Sequence, residues 1–336
     1  MARSHLGAPR LFVVGHYGGH RREYMELLAP LFRLTPTTGK VKLRNILPLL
    51  RARSVLFGTI EDHYIGFVIV AFLRSLVGLR TVGLFLRPQT CFKSDGSLRW
   101  NWKGRFFGAL RKVKGVSVGT IIPFDFAPHY ARVASFGVMD PHMWDKGNCS
   151  SCAQDTVLAN NLAQQARGRR IIAFLGTVTP IKGIEFLMAL LSRPEWPEDR
   201  LFVVIAGKVA PDLAGPLRLI PSLRCLVIDR VISDIELDTL YSCCDLIWAC
   251  YEPGYDQASG IFGRSVQFGK SAVVRRGSQI DLIATRLGLA TIRLDFGEAD
   301  SATEALAHAP HCSTGTDLAL LAEWRGDFVK TIEALF

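Results

Sequence analysis

The sequence lacks the features of several classes of protein. Its N-terminus, MARSHLGAPR, has no long apolar segment of the kind that a secretory signal contains, so we expect no export. Among eight cysteines, Cys149 and Cys152 form a single Cys-x-x-Cys pair, with no second pair and no histidine at zinc-binding spacing. The other cysteines lie mostly alone in apolar sequence. This usage favours reduced thiols in a cytoplasmic protein and predicts no metal site.

Long uninterrupted hydrophobic runs are also absent. The most apolar stretch, residues 67–86, contains Arg74 and Arg80 and is divided by glycines, which predicts a packed helix followed by a strand and not a membrane span. No internal repeat or low-complexity tract is visible. With 336 residues, of which 49% are hydrophobic, the chain is long enough to form two domains of ordinary size.

Acidic residues are scarce in the first half of the chain. Residues 1–160 contain 22 Lys and Arg against 9 Asp and Glu, whereas residues 161–336 contain 18 against 21. Residues 40–53 and 99–114 mix cations with large apolar and aromatic side chains, a pattern typical of segments that lie on an anionic membrane. The alternative interpretation is that these residues form solvated faces of core helices. A pI near 9.4 also suits nucleic acid, but no RNA- or DNA-binding motif accompanies it. We therefore expect an anionic membrane partner and no nucleic acid.

Strands and helices alternate along the first half. A strand at residues 10–15 leads through the turn GHYGGH, residues 15–20, into a helix at residues 22–32. Further strands are predicted at 54–58, 81–86 and 116–122, with a helix at 65–76. The turn lacks the full Gly-x-Gly-x-x-Gly spacing and an acidic residue after a clear second strand. A dinucleotide-dependent oxidoreductase is therefore only a minor alternative.

The second half repeats the alternation after a polar, weakly periodic run at residues 139–169 that predicts a linker. Strands are predicted at 171–175, 201–206, 224–228 and 246–250, and Ser233 with Glu236 forms a capping box at the start of a helix. This order predicts an α/β protein with two doubly wound domains and a cleft between them. The predicted domains are residues 1–165 and 166–315, followed by a C-terminal helix at 316–336 that packs back towards the first domain.

A glycine-rich loop organises the second half. The strand at 246–250 opens into a loop with Gly254, Gly260 and Gly263, and a helix is predicted from residue 261 to 268. Exposed backbone amides at a helix N-terminus favour an anion. Open α/β sheets bind their ligands beyond the carboxyl ends of the strands. The loop is therefore the predicted ligand site.

Four blocks of sequence carry a family resemblance. They are FLGTVTPIKGIEFL at 174–187, LFVVIAGK at 201–208, VISDIELDTLYSCCDLIW at 231–248, and the glycine loop ending in FGKSAVV at 268–274. In this order the blocks resemble the C-terminal domain of GT-B glycosyltransferases of the large retaining family called group 1 or family 4. The first half resembles the family only in pattern, through its Gly-Gly turn and the pair Asp62-His63.

The resemblance implies a GT-B fold of two facing Rossmann-like domains with an interdomain cleft. It further implies transfer of a sugar, with retention, from a nucleotide-sugar donor to a lipid-linked or saccharide acceptor in the biosynthesis of a cell-surface polysaccharide. No cofactor beyond the donor is implied. The sequence also has no Asp-x-Asp pair of the kind that holds a divalent ion in other sugar transferases, which predicts a metal-independent enzyme.

The family binds the donor diphosphate with an arginine and, five residues later, a lysine followed by glycine. In this chain Lys182-Gly183 is present, but Thr177 occupies the arginine position. Two family glutamates of the glycine loop, one near the transferred sugar and one near the ribose, align with Asp256 and Arg264. Glu252 is an alternative sugar contact, because the loop is about two residues longer than the usual pattern. The remaining predicted donor-binding residues are Gly176, Ile232, Ser259, Gly260 and Ile261.

The predicted mechanism follows from the negative charge that develops on the leaving group. The leaving nucleoside diphosphate needs cations and amides around it, and Lys182, Arg264 and the amides of residues 259–262 are predicted to supply them. Losing a cation at Thr177 while gaining one at Arg264 keeps the number of cations unchanged. The same two departures from the family pattern are consistent with a second hypothesis, in which the protein is a degenerate subunit that binds a sugar nucleotide without turnover.

Acceptor contacts are predicted on the loops that follow strands of the first half. Asp62 and His63 are the preferred pair, with the carboxylate orienting the imidazole or contacting a hydroxyl. The other predicted acceptor-side residues are His16, Gly18, Gly19, His20 and Arg87.

Overall fold

The computed structural model describes residues 8–15, 18, 20–93, 99–146, 155–309 and 317–336, without the side chains of residues 20, 43 and 44. His16, Gly19 and the Cys149–Cys152 pair lie outside the described residues, as does the side chain of His20. The chain divides into two units. The first contains residues 1–141 and 322–336, and the second contains residues 142–321.

A parallel sheet forms the centre of the first unit. Its strands are β1 (Arg10–Val14), β2 (Thr35–Thr38), β3 (Ser54–Phe57), β4 (Arg80–Phe85), β5 (Val116–Thr120) and β6 (Phe136–Gly137). Its helices are α1 (His20–Leu31), α2 (Leu43–Arg51), α3 (Tyr64–Leu76) and α4 (Trp102–Leu110). The strand order is β2-β1-β3-β4-β5-β6, and every pair is parallel. Strands buried on both faces read as short continuous apolar runs, which is why the sequence predicted most of them.

The second unit has the same plan. Its strands are β7 (Arg170–Leu175), β8 (Leu201–Ala206), β9 (Cys225–Ile228), β10 (Leu246–Ala249), β11 (Ser271–Arg275) and β12 (Thr291–Leu294). Its helices are α5 (Thr156–Ala166), α6 (Ile184–Leu191), α7 (Ala214–Arg218), α8 (Asp234–Cys243), α9 (Gly260–Gln267), α10 (Gln279–Arg286) and α11 (Ala299–Ala307). The strand order is β12-β11-β10-β7-β8-β9, again all parallel. The last helix, α12 (Leu318–Ala334), lies mostly in the segment assigned to the first unit, where Phe328 and Phe336 pack around Phe32.

Each sheet has one point where its strand order reverses. In the first unit β1 and β3 are neighbours, and the chain fills the sheet outward on both sides of that pair. In the second unit β7 and β10 are the corresponding neighbours. Loops after such strands diverge and leave a crevice at the carboxyl edge, where doubly wound sheets bind ligands. A binding site is therefore expected among the residues that follow β1, β3, β7 and β10.

The predicted linker at residues 139–169 is wrong in its second part. Residues 156–166 form helix α5, whose N-terminus is capped by Asp155 through the amide of Leu158. Leu158, Leu162 and Ala166 are buried in the core of the second unit. These apolar residues recur only once per turn on an otherwise polar helix, and so narrow a stripe is easily read as a loop.

The capping box predicted at the start of α8 is confirmed. Ser233 Oγ accepts a hydrogen bond from the amide of Glu236 at 3.3 Å, and the Glu236 carboxylate accepts one from the amide of Ser233 at 2.9 Å. Arg230 also pairs with this carboxylate, and its hydrogen bond lowers the pKa of Glu236 to about 2.

Arg74 shows why the apolar run at residues 67–86 does not span a membrane. Its side chain is fully buried and donates hydrogen bonds to the carbonyls of Leu49 and Ala52 at 2.6 and 2.7 Å. It also donates to the carbonyl of Arg80 and the hydroxyl of Thr81. The guanidinium therefore supplies hydrogen-bond donors to the carbonyls at the end of α2 and at the start of β4. Burial lowers its pKa to about 10. No helix in the described part of the chain combines the length and the apolarity that a bilayer span needs.

We expect Arg74→Met to destabilise the protein strongly. The change leaves the buried carbonyls of Leu49 and Ala52 without a donor, at about 1–3 kcal/mol each. Urea denaturation should show a clearly lower midpoint for this variant. Arg51→Met is the matched control, because Arg51 lies exposed at the end of the same helix α2 and should change the midpoint little. Equal midpoints for Arg74→Met and wild type would refute this role.

Candidate functional site

Lys182 lies at the carboxyl edge of the second sheet, where the strand order reverses. It ends a short 3₁₀ turn, Pro180–Lys182, between β7 and α6. The carbonyl of Lys182 accepts a hydrogen bond from the indole Nε1 of Trp248 at 3.3 Å, and Trp248 lies in β10. The turn is therefore tied to the strand that neighbours β7.

Two glycines allow the chain to come close at this edge. Gly183 has a φ of +75°, and a Cβ there would lie 2.1 Å from the carbonyl oxygen of Cys250. Gly176 has a φ of +80°, and a Cβ there would lie 3.0 Å from Lys182 Nζ and 3.7 Å from Ile261 Cδ1. The ammonium group of Lys182 therefore lies against the backbone of Gly176, beside the first turn of α9. The chain places a cation and a helix N-terminus together.

The N-terminus of α9 is held in place by hydroxyl groups. Ser259 Oγ accepts a hydrogen bond from the amide of Phe262 at 3.3 Å and lies 2.8 Å from the buried hydroxyl of Tyr251. Among the described residues, the amides of Gly260 and Ile261 have no acceptor. Free amides at a helix N-terminus carry a partial positive charge and favour an anion.

Lys182 is half-buried, and no carboxylate or carbonyl in the described part of the chain accepts a hydrogen bond from its ammonium group. Burial lowers its pKa to about 8, because the charged form loses hydration. Below pH 8 the group is still mostly a cation. A cation held in this way can bind an anion without first breaking an ion pair.

The two predicted sugar contacts are placed differently. The Asp256 carboxylate lies 3.3 Å from Arg275 Nη2 and accepts a hydrogen bond from the amide of Gln279 at 2.7 Å. The backbone amide of Glu252 donates to the carbonyl of Ile181 at 3.2 Å, one residue from Lys182. The structure thus places the backbone of Glu252 beside the lysine turn, whereas Asp256 is tied to β11 and α10.

Arg264 has a partner that the sequence did not suggest. It lies in the second turn of α9 and is buried, and its Nη2 lies 3.2 Å from Asp145 Oδ2. Asp145 also accepts a hydrogen bond from Gln267 Nε2 at 2.7 Å. This ion pair offsets the charge of Arg264, so its contact with a donor stays a prediction. Of the remaining predicted donor residues, Thr177 is exposed after β7, and Ile232 is half-buried against the same core cluster as Ile261.

Predicted acceptor-side residues gather at the edge of the first sheet where its strand order reverses. Asp62 follows β3 and pairs with Arg21 of α1. A Cβ at Gly15, directly after β1, would lie 2.7 Å from Asp62 Cβ, so the end of β1 is in close contact with the loop that follows β3. Gly18 lies in a half-buried bend of the same loop. The Asp62 carboxylate is therefore oriented by an arginine.

His63 is enclosed next to this pair. It is buried, its ring lies edge-on to Phe57 at 6.0 Å between centroids, and its Nε2 has no hydrogen-bond partner among the residues that the structure describes. Burial lowers the pKa of the imidazole, so His63 is a neutral base at neutral pH. The predicted residue Arg87 is exposed, and its backbone amide donates to the Glu61 carboxylate at 2.6 Å.

Sequence reasoning missed Glu61, Arg21 and Tyr251. Glu61 accepts hydrogen bonds from Thr59 and from the amide of Arg87, and burial raises its pKa. The one sequence feature that could have identified Glu61 was its position directly before Asp62, after a predicted strand. Arg21 was missed because its partner Asp62 lies 41 residues away, and Tyr251 was missed because its hydroxyl contacts Ser259 only through the folding of the glycine-rich loop.

The candidate site residues do not form a metal-binding cluster in the described part of the chain. Within the described ranges, no three His, Cys, Asp or Glu side chains lie close enough together to hold a metal ion.

Solved structures with this fold include several enzymes. Anabaena HepE in complex with UDP and glucose has a TM-score of 0.63 and 11% identity, covering 97% of this chain and 100% of that one. Sucrose-phosphate synthase from Thermosynechococcus elongatus has a TM-score of 0.64 and 12% identity, and the match covers 98% of this chain and 100% of the synthase chain. WaaG, a glycosyltransferase involved in lipopolysaccharide biosynthesis, has a TM-score of 0.54 and 12% identity, and the match covers 96% of this chain and 95% of the WaaG chain.

These similarities confirm the predicted α/β GT-B fold, which the solved structures share with this chain over nearly its whole length. No protein-family model matches the sequence, and no curated protein matches it either. At such low identity the likeness concerns the fold.

We expect Lys182→Met to stabilise the unliganded protein at pH 7. Lys182 has a folded pKa of about 8 against an ordinary value of 10.5, so the unfolded chain binds the extra proton between these values. The free energy of unfolding of the wild type should therefore rise with pH between about 8 and 10.5. The extra stability of Lys182→Met over the wild type should be smaller at pH 10 than at pH 7. Urea denaturation of both proteins at both pH values measures this. An advantage of equal size at the two pH values, or none at pH 7, would contradict the lowered pKa of Lys182.

Proposed function

We propose that the protein is a glycosyltransferase that takes a sugar from a nucleotide-sugar donor and binds the donor diphosphate at the carboxyl edge of its second sheet. One observation carries the proposal. The ammonium group of Lys182 has no acidic partner among the described residues and lies against Gly176 beside the free amides of α9. This arrangement suits a diphosphate, which needs a cation and backbone donors on one side.

The proposed reaction follows from this charge. The bond between the anomeric carbon and the diphosphate oxygen breaks, and its electron pair stays on the leaving diphosphate. Lys182 and the amides of Gly260 and Ile261 stabilise that charge as it develops. An acceptor hydroxyl forms the new bond to the anomeric carbon and gives up its proton. We propose retention at this carbon, as the family resemblance implies, with oxocarbenium character in the transition state.

Glu252 is the sugar contact that we favour over Asp256. Its backbone is bonded next to Lys182, whereas the Asp256 carboxylate is engaged by Arg275 and the amide of Gln279. Asp62 and His63 are proposed for the acceptor. Arg21 orients the carboxylate. The Nε2 of the neutral His63 imidazole, which has no partner within the described ranges, takes the proton that the acceptor hydroxyl gives up.

We propose a lipid-linked or saccharide acceptor, in cell-surface polysaccharide biosynthesis, on the cytoplasmic face of a membrane. Support comes from the basic first half, where 22 Lys and Arg face only 9 Asp and Glu in residues 1–160. Cations near an anionic lipid surface contribute about 1 kcal/mol each to binding. A protein held at the membrane by these charges would meet a lipid-linked acceptor there.

A second candidate is a sugar-nucleotide-binding subunit without turnover. Thr177 replaces the arginine of the family pattern, and the arginine gained at position 264 is paired with Asp145. Arg264 is therefore a poor substitute for the cation lost from the phosphate site. Donor binding without product from any acceptor would favour this candidate.

Lys182→Met should weaken UDP binding by about 10- to 100-fold in calorimetry, because a hydrogen bond to a charged group contributes about 1.5–3 kcal/mol. Turnover of the donor should fall at least as much. Lys208→Met is the matched control, because Lys208 follows the neighbouring strand β8 but already pairs with Asp229 at 3.2 Å. Its effect should stay below about threefold.

Calorimetry can also exclude the proposal. Wild-type affinity for UDP in Lys182→Met would remove the diphosphate site from this edge. A thermal-shift panel of UDP-, GDP-, ADP- and TDP-sugars identifies the donor, since a ligand at 100 times its dissociation constant adds about 2.7 kcal/mol of stability. No shift with any of them would count against a nucleotide-sugar donor.

A further inference from the structure

Helix α3 exposes an apolar face to solvent. Ile65, Ile69, Phe72 and Leu76 have exposed fractions of 77%, 43%, 51% and 67%. Their spacing of three or four residues puts them on one side of the helix, along roughly 16 Å of its length. The opposite side, which includes Phe67 and Val70, is buried in the first unit. The helix is thus apolar on both sides, although only one side contributes to the core.

Helix α4 extends this surface. Trp102 is 73% exposed and Phe106 is 40% exposed. Between the two helices lies an open groove of about 280 Å³, lined by these two residues and by Tyr64, Ile65 and Ile69 among others. We call the exposed side chains of residues 65, 69, 72, 76, 102 and 106 the α3–α4 surface. Monomeric proteins rarely leave such continuous apolar area in water without a partner.

Charge indicates what covers the α3–α4 surface. From residue 63 to residue 124 the sequence contains 10 Lys and Arg and a single acidic residue, Asp95, which lies outside the described residues. Arg99, Arg105 and Lys112 are exposed around α4. Lys103 places its ammonium group 4.7 Å from the centre of the Tyr64 ring, at the edge of the groove.

An anionic bilayer fits this combination better than a second copy of the chain does. Two copies would bring their excess positive charge together, whereas anionic lipid headgroups would neutralise it. Exposed tryptophan and large aliphatic side chains with flanking cations are typical of helices that lie in the headgroup region.

We propose that the α3–α4 surface inserts into the interface of an anionic phospholipid bilayer. The inference rests on the membrane partner of the proposed function, but not on sugar transfer itself. It adds the hydrophobic part of the contact, which the basic charges alone do not supply. Because α3 begins directly after Asp62 and His63, the proposed acceptor residues lie at one end of the inserted helix. A sugar headgroup linked to a lipid would reach them from the bilayer surface.

Vesicle flotation tests the proposal with the full chain. Wild type should float with phosphatidylglycerol vesicles and far less with phosphatidylcholine vesicles. Phe72→Ser with Leu76→Ser should reduce binding at least tenfold, because both exposed side chains lose their apolar contact with lipid. Leu219→Ser with Val231→Ser is the matched control. These residues are 85% and 81% exposed in the second unit, and their loss should leave binding unchanged.

Fluorescence locates the inserted residues. Phosphatidylglycerol lipids brominated in the acyl chain should quench part of the tryptophan emission, and Trp102→Phe should remove most of that quenching. Unchanged quenching in Trp102→Phe, or equal flotation of the Phe72/Leu76 variant and wild type, would overturn insertion through this surface. Concentration-dependent dimers in sedimentation that disappear in the Phe72/Leu76 variant would instead identify a second copy as the partner.

Separate readouts distinguish this proposal from the proposed enzyme activity. The Phe72/Leu76 variant should bind UDP with wild-type affinity, and Lys182→Met should float like wild type. Loss of UDP binding in the Phe72/Leu76 variant would overturn the separation of the two surfaces. Absence of flotation by wild type would overturn the membrane proposal while leaving UDP binding as an independent result.

Discussion

A half-buried ammonium group with no acidic partner among the described residues is the feature on which the proposed chemistry depends. Desolvation lowers the pKa of Lys182 to about 8, so the protein keeps this charge at a cost to its own stability. That cost is offset when an anion binds. Functional sites commonly carry such locally unfavourable groups, because a group already satisfied inside the protein has little to offer a ligand.

The fold explains how this group is positioned. Parallel strands β7 and β10 lie side by side, yet their connections lead to opposite sides of the sheet, so the edge between them stays open. Gly176 and Gly183 allow backbone conformations and contacts that a side chain would block. Helix α9 then begins at the same edge, and its first two amides have no acceptor in the described part of the chain. Strand order, glycine positions and helix start together produce an anion site from residues far apart in sequence.

Sequence alone predicted the features that depend on local pattern. Buried strands such as β8, the capping box at Ser233 and the Lys182-Gly183 turn were all visible, because apolar runs and capping residues are short-range signals. Pairings across the fold were not visible. Arg264 meets Asp145 from 119 residues away, and Arg21 meets Asp62 from 41 away. Such contacts arise only when the sheet closes, which is why the roles of Arg264 and Asp256 could not be decided from spacing.

A crystal structure of the protein with UDP tests the central claim most directly. A diphosphate bound as proposed places phosphate oxygens within about 3 Å of Lys182 Nζ and of the amide of Gly260 or Ile261. Density for UDP at another edge of the second unit, with Lys182 still unpartnered, would contradict the claim.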